Sequence, residues 1–285
     1  MARASTLGAA DARSARLGRA LALGLLHGPA ELLPVSSSGH VELVPWLLGW
    51  EGVSDDPEVR KAFAVALHAG TAAALLVMLR GEVARSVREL TPASASVVLL
   101  SLLPPVAAGL TLERPVERHL GRPATISLGL IVGGLALAWA DRGAQERGFA
   151  EATPRDGLWL GMAQACALFP GISRNGATLT AARLRGFRRE DAEQLSRHVA
   201  LPVIAGATAL KCLRLWQRGL PPGSVPVFAL GSGASFASTL AAAPLIGLVE
   251  SDRPLTPFAV YRVALGALAL RRCWRTRRPG RIARR

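Results

Sequence analysis

Acidic residues are scarce in this chain, 20 Asp and Glu against 34 Lys and Arg, and the net charge of +14 comes almost wholly from arginine. Cysteine is scarcer still. Cys166, Cys212 and Cys273 lie far apart in or beside apolar segments, with no CxxC and no Cys/His spacing of a zinc site, so they are expected to act as small hydrophobes. No Walker A loop, no GxSxG elbow and no HExxH helix is present. Nucleotide-driven transport, ordinary serine-hydrolase chemistry and zinc proteolysis therefore lose their usual signatures. Phosphate chemistry without a nucleotide is left open.

What the chain has in abundance is apolar sequence, half of its 285 residues, with a mean hydropathy of +0.30. It is gathered into blocks at 62–79, 93–112, 124–140, 199–215, 225–249 and 257–270. Each approaches the roughly 20 residues that cross about 30 Å of hydrocarbon. The charges fall between them, at 80–89, 113–122, 141–156 and 183–197, the last read as an arginine-rich interior loop. This is the layout of an all-α polytopic membrane protein, a single integral domain over 1–285, and not of a soluble helical domain. Arginine gathers at both ends, at Arg13, Arg16 and Arg19 and through 271–285, with 274–285 read as a basic tail. Positive-inside bias and anionic headgroups account for it, and with Trp274 its only stacking residue no nucleic-acid partner is expected. The first apolar stretch, 17–35, runs straight into a polar motif and shows no evident signal-peptide cleavage site.

Two polar motifs interrupt the apolar pattern. The first is Leu33-Pro34-Val35-Ser36-Ser37-Ser38-Gly39-His40 and the second is Phe169-Pro170-Gly171-Ile172-Ser173-Arg174-Asn175-Gly176. An offset of 136 places Pro34 on Pro170, Ser37 on Ser173 and Ala69-Gly70 on Ala205-Gly206. That suggests an internal duplication, with pseudo-repeats over about 17–140 and 155–273. Membrane proteins of this kind often arrange such halves as inverted repeats, with broken helices meeting at a central site. Unwound backbone in a bilayer is tolerated only where protein or a water-filled cavity satisfies it, so the two motifs are expected to face one another.

Candidate chemistry sits in and beside these breaks. Glu31 lies among Leu, Ala and Pro, where a carboxylate needs a partner, a proton or water. His27 is one helical turn earlier, about 6 Å of rise away on the same face. The pair suits a divalent cation, a shared proton or a structural hydrogen bond. Ser36, Ser37 and Ser38 offer hydroxyls at a helix break, and His40 supplies an imidazole three residues after Ser37, a base that could activate it. Serine clusters also cap helices. In the second motif Arg174 stands where a glycine-flanked loop feeds a helix N-terminus, a setting for an anion, with a snorkelling surface arginine as the plainer reading. Tyr261 and Arg262 sit inside the last apolar block, where the charge needs either a phosphate or an acidic side chain.

Taken together, these residues resemble the undecaprenyl-diphosphatase family, also called bacitracin-resistance proteins. Gly28 through His40 is similar to the family's E/Q-G-x-x-E-F-L-P-x-S-S-x-G-H, Pro170 through Thr178 to P-G-x-S-R-S-G-A-T, and Pro257 through Arg262 to a third segment. The resemblance covers nearly the whole chain. It implies a multi-pass bacterial plasma (inner) membrane enzyme with inverted repeats, two re-entrant helix pairs and a site opening on the extracytoplasmic side. The implied reaction is hydrolysis of undecaprenyl diphosphate to the monophosphate, recycling the lipid carrier for cell-wall synthesis. It further implies a divalent cation, magnesium or calcium. Carried over by position, Glu31 is the site carboxylate, Ser37 the nucleophile, His40 its base or acid, and Arg174 and Arg262 the phosphate ligands. Ser36, Ser38, Ser173, Asn175 and His27 are expected to line the substrate, with His27 also serving with Glu31 at the cation. The expected partners are the polyprenyl diphosphate, membrane lipids and a second copy in a homodimer. Departures are His27 where the family has Glu or Gln, His68 where glutamine is expected, Leu32 for Phe and Asn175 for Ser. A lipid-phosphate transporter or flippase and a catalytically silent relative are the alternatives.

Overall fold

The computed structural model describes residues 2–50, 53–54, 56–143, 145–251 and 253–276. The regular secondary structure of the described part is helical, with one isolated bridge between Arg147 and Phe187. In chain order the helices are α1 (Ala2–Leu32), α2 (Ser37–Leu48), α3 (Pro57–Met78), α4 (Arg80–Arg88), α5 (Pro92–Leu120), α6 (Pro123–Ala140), α7 (Pro154–Cys166), α8 (Arg174–Leu184), α9 (Arg189–Arg218), α10 (Val225–Ala241), α11 (Ile246–Glu250) and α12 (Thr256–Thr276). Single turns of 3-10 helix precede α7 and α11.

Several of these helices open on a side-chain cap followed by proline in the first turn. Asp56 caps α3 before Pro57, and Thr91 forms a reciprocal capping box with Ser94 around Pro92 of α5. Proline fits there because its missing N–H has no helical partner and its φ is already helical. Among the described residues α3, α6, α9 and Pro92–Val116 of α5 are long and apolar enough to cross a membrane. The block 225–249 is not one straight span: α10 and the helix from Ala243 to Glu250 meet at 52°. Exposed Leu99, Leu103, Val106 and Leu110 form a lipid-facing row on α5.

The order of elements repeats with the offset seen in the motifs. Adding 136 to α2 gives 173–184, and α8 is Arg174–Leu184; adding it to α6 gives 259–276, and α12 is Thr256–Thr276. Packing follows the same exchange, with α1 lying along α10 and α7 along α5, so each half's interrupted first helix is held by the other half. Small residues allow the close approach. A side chain at Gly28 would collide with Ser238 and the Thr239 backbone, and one at Gly231 with the Phe63 ring.

Several arginines between the blocks form ion pairs. Asp141 takes Arg183 and Arg189, each at 3.0 Å, and the Leu255 amide at 2.8 Å. Asp156 takes Arg147 at 2.8 Å and Arg185 at 2.7 Å, and Arg197 reaches Glu250 at 2.7 Å. Burial would push the Asp156 carboxyl up, but hydrogen bonds from Arg147, Thr153 and Arg185 hold it well below the usual carboxylate range. The three cysteines are free thiols. Of the basic tail, 277–285 lie outside the described residues, while Trp274 is exposed at the end of α12.

Candidate active site

Both motifs are helix breaks, and they meet. The first chain break, 33–36, turns on Ser36, whose φ of 75° is the one positive value at a non-glycine among the described residues. That left-handed conformation costs about 1 kcal/mol or more for a residue with a Cβ. Two local bonds hold it: the Ser36 hydroxyl accepts from the Gly39 amide at 3.3 Å as the cap of α2, and the His40 ring donates from Nδ1 to the Ser36 carbonyl at 2.7 Å. The second break turns on Gly171, with φ 89°, pressed against the Ile126 carbonyl where a side chain has no room. Ser173 then caps α8, accepting from the Gly176 amide at 3.1 Å.

Breaking a helix inside an apolar region frees carbonyls that must be satisfied. Arg262 of α12 does this for both breaks at once: its guanidinium donates to the Pro34 carbonyl and to the Gly171 carbonyl, each at 3.4 Å, and the side chain is fully buried. Side chains at Gly133 or Gly176 would occupy the space it fills. Arg262, expected at the phosphate, thus bridges the two breaks. Asn175 is also a latch, donating to the Leu32 carbonyl at 3.1 Å and accepting from Ser196 at 3.0 Å.

In front of this bridge stands a polar cluster. Arg174 donates to Glu31 Oε1 at 2.7 Å across 143 positions of sequence, and the Ser37 hydroxyl donates to Glu31 Oε2. The expected Ser37–His40 pair is not formed. Because Nδ1 of His40 is anchored on Ser36, its Nε2 points to the Tyr261 hydroxyl at 2.7 Å, and the proton acceptor beside Ser37 is Glu31. Ser36 and Ser173 are buried caps, whereas Ser38 is exposed. A cleft opens over Glu31 and Arg174, polar at Glu193, Ser196 and Arg197 and apolar at Leu75, Leu201 and Ile204.

His27 lies on the far side of Glu31, with its Nδ1 2.8 Å from Thr71 Oγ1, and its ring meets that of His68 edge to face with centroids 4.5 Å apart. His27, Glu31 and His68 bring ligand atoms within 4.8 Å of one another. Sequence reasoning missed the partners from α9. Glu193 and Arg197 fell in the stretch 183–197 that reads as a charged loop, yet Glu193 is buried within α9 beside the cleft. The Glu193 and Ser196 spacing, three residues on one helical face before an apolar block, was the available signal.

Fold and site together define a polytopic helical membrane protein whose polar centre joins a carboxylate and serine from one broken helix pair to an arginine from the other. The family model for bacitracin resistance protein BacA matches residues 20–268. The chain is 38% identical over 264 residues to an undecaprenyl-diphosphatase of Geobacter sulfurreducens, covering 88% of this chain and 96% of that protein. It is 38% identical over 258 residues to one of Trichlorobacter lovleyi, covering 86% and 92%. To one of Burkholderia mallei it is 34% identical over 265 residues, covering 88% and 94%. The chain belongs to the bacitracin resistance protein BacA family.

Proposed function

We propose that this protein hydrolyses undecaprenyl diphosphate to undecaprenyl phosphate and inorganic phosphate. The observation that carries the reading is the Ser37–Glu31–Arg174 cluster, assembled from two helix breaks inside an apolar bundle. Arg174, beside the N-terminus of α8, binds and orients oxygens of the terminal phosphate. Ser37 attacks that phosphorus as its proton passes to Glu31, the O–P bond forms, and the bridging P–O bond breaks to release the lipid monophosphate. Once Glu31 has released that proton to solvent, water deprotonated by Glu31 or a neighbouring imidazole attacks the phosphorus, and the Ser37 O–P bond breaks to release phosphate and return the serine. His27 and Glu31 fit a divalent cation, which would add positive charge beside the phosphoryl oxygens. Arg262 and Asn175 hold the two breaks in register, and His40 with Tyr261 fixes the turn that aims Ser37.

The apolar side of the cleft suits a prenyl chain entering from the bilayer. The reading includes inverted halves, a bacterial inner-membrane location and a site open to the extracytoplasmic side, where diphosphate carrier is left after polymer transfer. The apolar row on α5 is available to lipid and to a second copy, and a detergent-corrected mass decides whether a homodimer forms. A transporter needs no nucleophile beside a base, so Ser37 on Glu31 favours hydrolysis.

The test is phosphate release from a C55 polyprenyl diphosphate by detergent-purified protein. Arg174→Ala is expected to abolish release. Ser37→Ala abolishes it if serine is the nucleophile, whereas a retained rate within about tenfold assigns the attack to water. No release by the wild-type protein overturns the reading.

A further inference from the structure

We propose that His27, Glu31 and His68 form a binding site for a borderline transition-metal cation of the zinc class, and that this site discriminates against magnesium and calcium.

Three elements of the structure converge on it. His27 and Glu31 stand one turn apart near the end of α1, and His68 reaches them from α3, with ligand atoms of all three within 4.8 Å of one another. His27 is fully buried, and among the described residues its Nε2 has no hydrogen-bond partner. A buried polar atom without a partner costs about 1 to 3 kcal/mol, so a ring that leaves one unpaired while standing against a second imidazole and one turn from a carboxylate calls for an occupant.

The hydrogen bonds behind the rings set the tautomers that a metal requires. His68 Nδ1 faces the Ala64 carbonyl at 2.8 Å, and a carbonyl only accepts, so that nitrogen carries the proton and Nε2 keeps its lone pair. For His27 the same result follows from a relay. Ser235 donates to the Leu67 carbonyl at 2.9 Å, and Thr239 to the Ser235 carbonyl at 2.7 Å, so both of those hydroxyl protons are committed. Thr71 lies 2.6 Å from Ser235 and can spend its own proton there, which leaves Thr71 Oγ1 to accept from His27 Nδ1 at 2.8 Å. The relay ends on a backbone carbonyl and therefore has a direction. Both imidazoles then present Nε2 lone pairs, each backed by a fixed acceptor on Nδ1, the arrangement usual for metal-bound histidine. Glu31 has already taken Arg174 and Ser37, one on each oxygen, but a carboxylate retains further lone pairs.

Two imidazole nitrogens and one carboxylate oxygen are the donor set of zinc and its neighbours. Magnesium and calcium take oxygen ligands, and magnesium keeps most of its water. The magnesium or calcium expected from the family resemblance is thus replaced here by a softer ion. The inference rests on the phosphatase reading only for the reaction such an ion would serve, and binding can be measured without activity.

Full-length protein is purified in detergent on an affinity tag without histidine, stripped with chelator, and titrated with cobalt(II) and then with competing zinc, magnesium and calcium. The expected result is one equivalent of cobalt with ligand-field bands in the visible, displaced by zinc at concentrations at least about 100-fold below those needed of magnesium or calcium. His68→Gln weakens zinc about 100-fold, and Thr71→Val, which touches no metal, weakens it about tenfold by releasing the His27 ring. Metal-free thermal unfolding of both variants within about 2 °C of wild type excludes misfolding as the cause; if His68→Gln fails that control, Thr71→Val carries the test. Magnesium or calcium competing as well as zinc, or zinc binding indifferent to His68→Gln and Thr71→Val, overturns the proposal and leaves a proton shared between the two rings. A protein that binds zinc in this way but releases no phosphate keeps the metal site and sinks the phosphatase reading; release with magnesium and no zinc binding does the opposite.

Discussion

The two helix breaks start from matching chemistry and are put to different uses. In the α1–α2 break the polar side chains are aimed at one another, with Ser37 on Glu31 and His40 beside them, and the turn is made by Ser36, a residue ill suited to a positive φ. In the α7–α8 break the turn is made by Gly171, Asn175 braces α1 and α9, and Arg174 reaches across to Glu31. Support differs as well. The buried carboxylate Asp156 anchors α7 through Arg147 and Arg185, while at the matching point of α1, 136 positions earlier, stands buried Ala20. Carboxylate and serine therefore come from one half and the guanidinium from the other. The opposed charges meet only when the halves are packed, which ties the chemistry to the assembled fold.

The largest expected effect breaks the contact between the halves. Glu31→Gln removes the acceptor of the Ser37 proton and leaves Arg174 without its counter-charge, so the initial rate of phosphate release should fall by about 10³ or more. Arg174→Lys keeps the charge but not the planar fork, and should retain more rate than Arg174→Ala.

Next is a change confined to the scaffold of the second half. Asp156→Asn strands two arginines and should lower stability by about 3 kcal/mol, read from thermal unfolding in detergent, while the folded fraction keeps its rate. The folded carboxyl lies below its ordinary value. Its contribution is therefore complete above the unfolded aspartate pKa of about 4 and is withdrawn as pH falls below it; wild type should lose stability in acid, and Asp156→Asn should lose less.

A smaller effect tests why one break uses serine and the other glycine. Ser36→Ala keeps the strained φ and loses the cap, at a cost of about 1 kcal/mol. Ser36→Gly loses the cap but relieves the backbone, and should be at least as stable as wild type. Smallest is Tyr261→Phe, which frees His40 Nε2. One hydrogen bond of about 1 kcal/mol corresponds to a rate loss of about fivefold.

Much of the fold was legible because bilayer-length apolar blocks have few other uses. The blocks at 62–79, 93–112 and 124–140 fall almost wholly within α3, α5 and α6. The block 225–249 was misleading, since hydropathy has no sensitivity to a bend at Ala242. The stretch 183–197 read as a charged loop because sequence cannot show that Arg183 and Arg189 are matched to Asp141 on another helix. Within the site, Glu31, Ser37 and Arg174 stood out because polar residues beside Pro and Gly in apolar sequence are costly without a purpose. Their pairing did not. Ser37 and His40 are neighbours along α2, but the turn at Ser36 aims one at Glu31 and holds the other on Tyr261.

Composition and motif pattern alone marked this chain as a helical membrane protein with two polar breaks, because a bilayer penalises every unexplained charge and every unpaired backbone group. Tertiary structure decided which of those groups meet. Arg262 came to bridge the two breaks, Glu31 and not His40 became the hydrogen-bond partner of Ser37, and His68 joined a cluster 37 positions from Glu31. Each outcome depends on the packing of helices distant in sequence, and side-chain direction across such an interface is set by backbone approach at residues like Gly28, Gly133 and Gly171, about which motif spacing is silent.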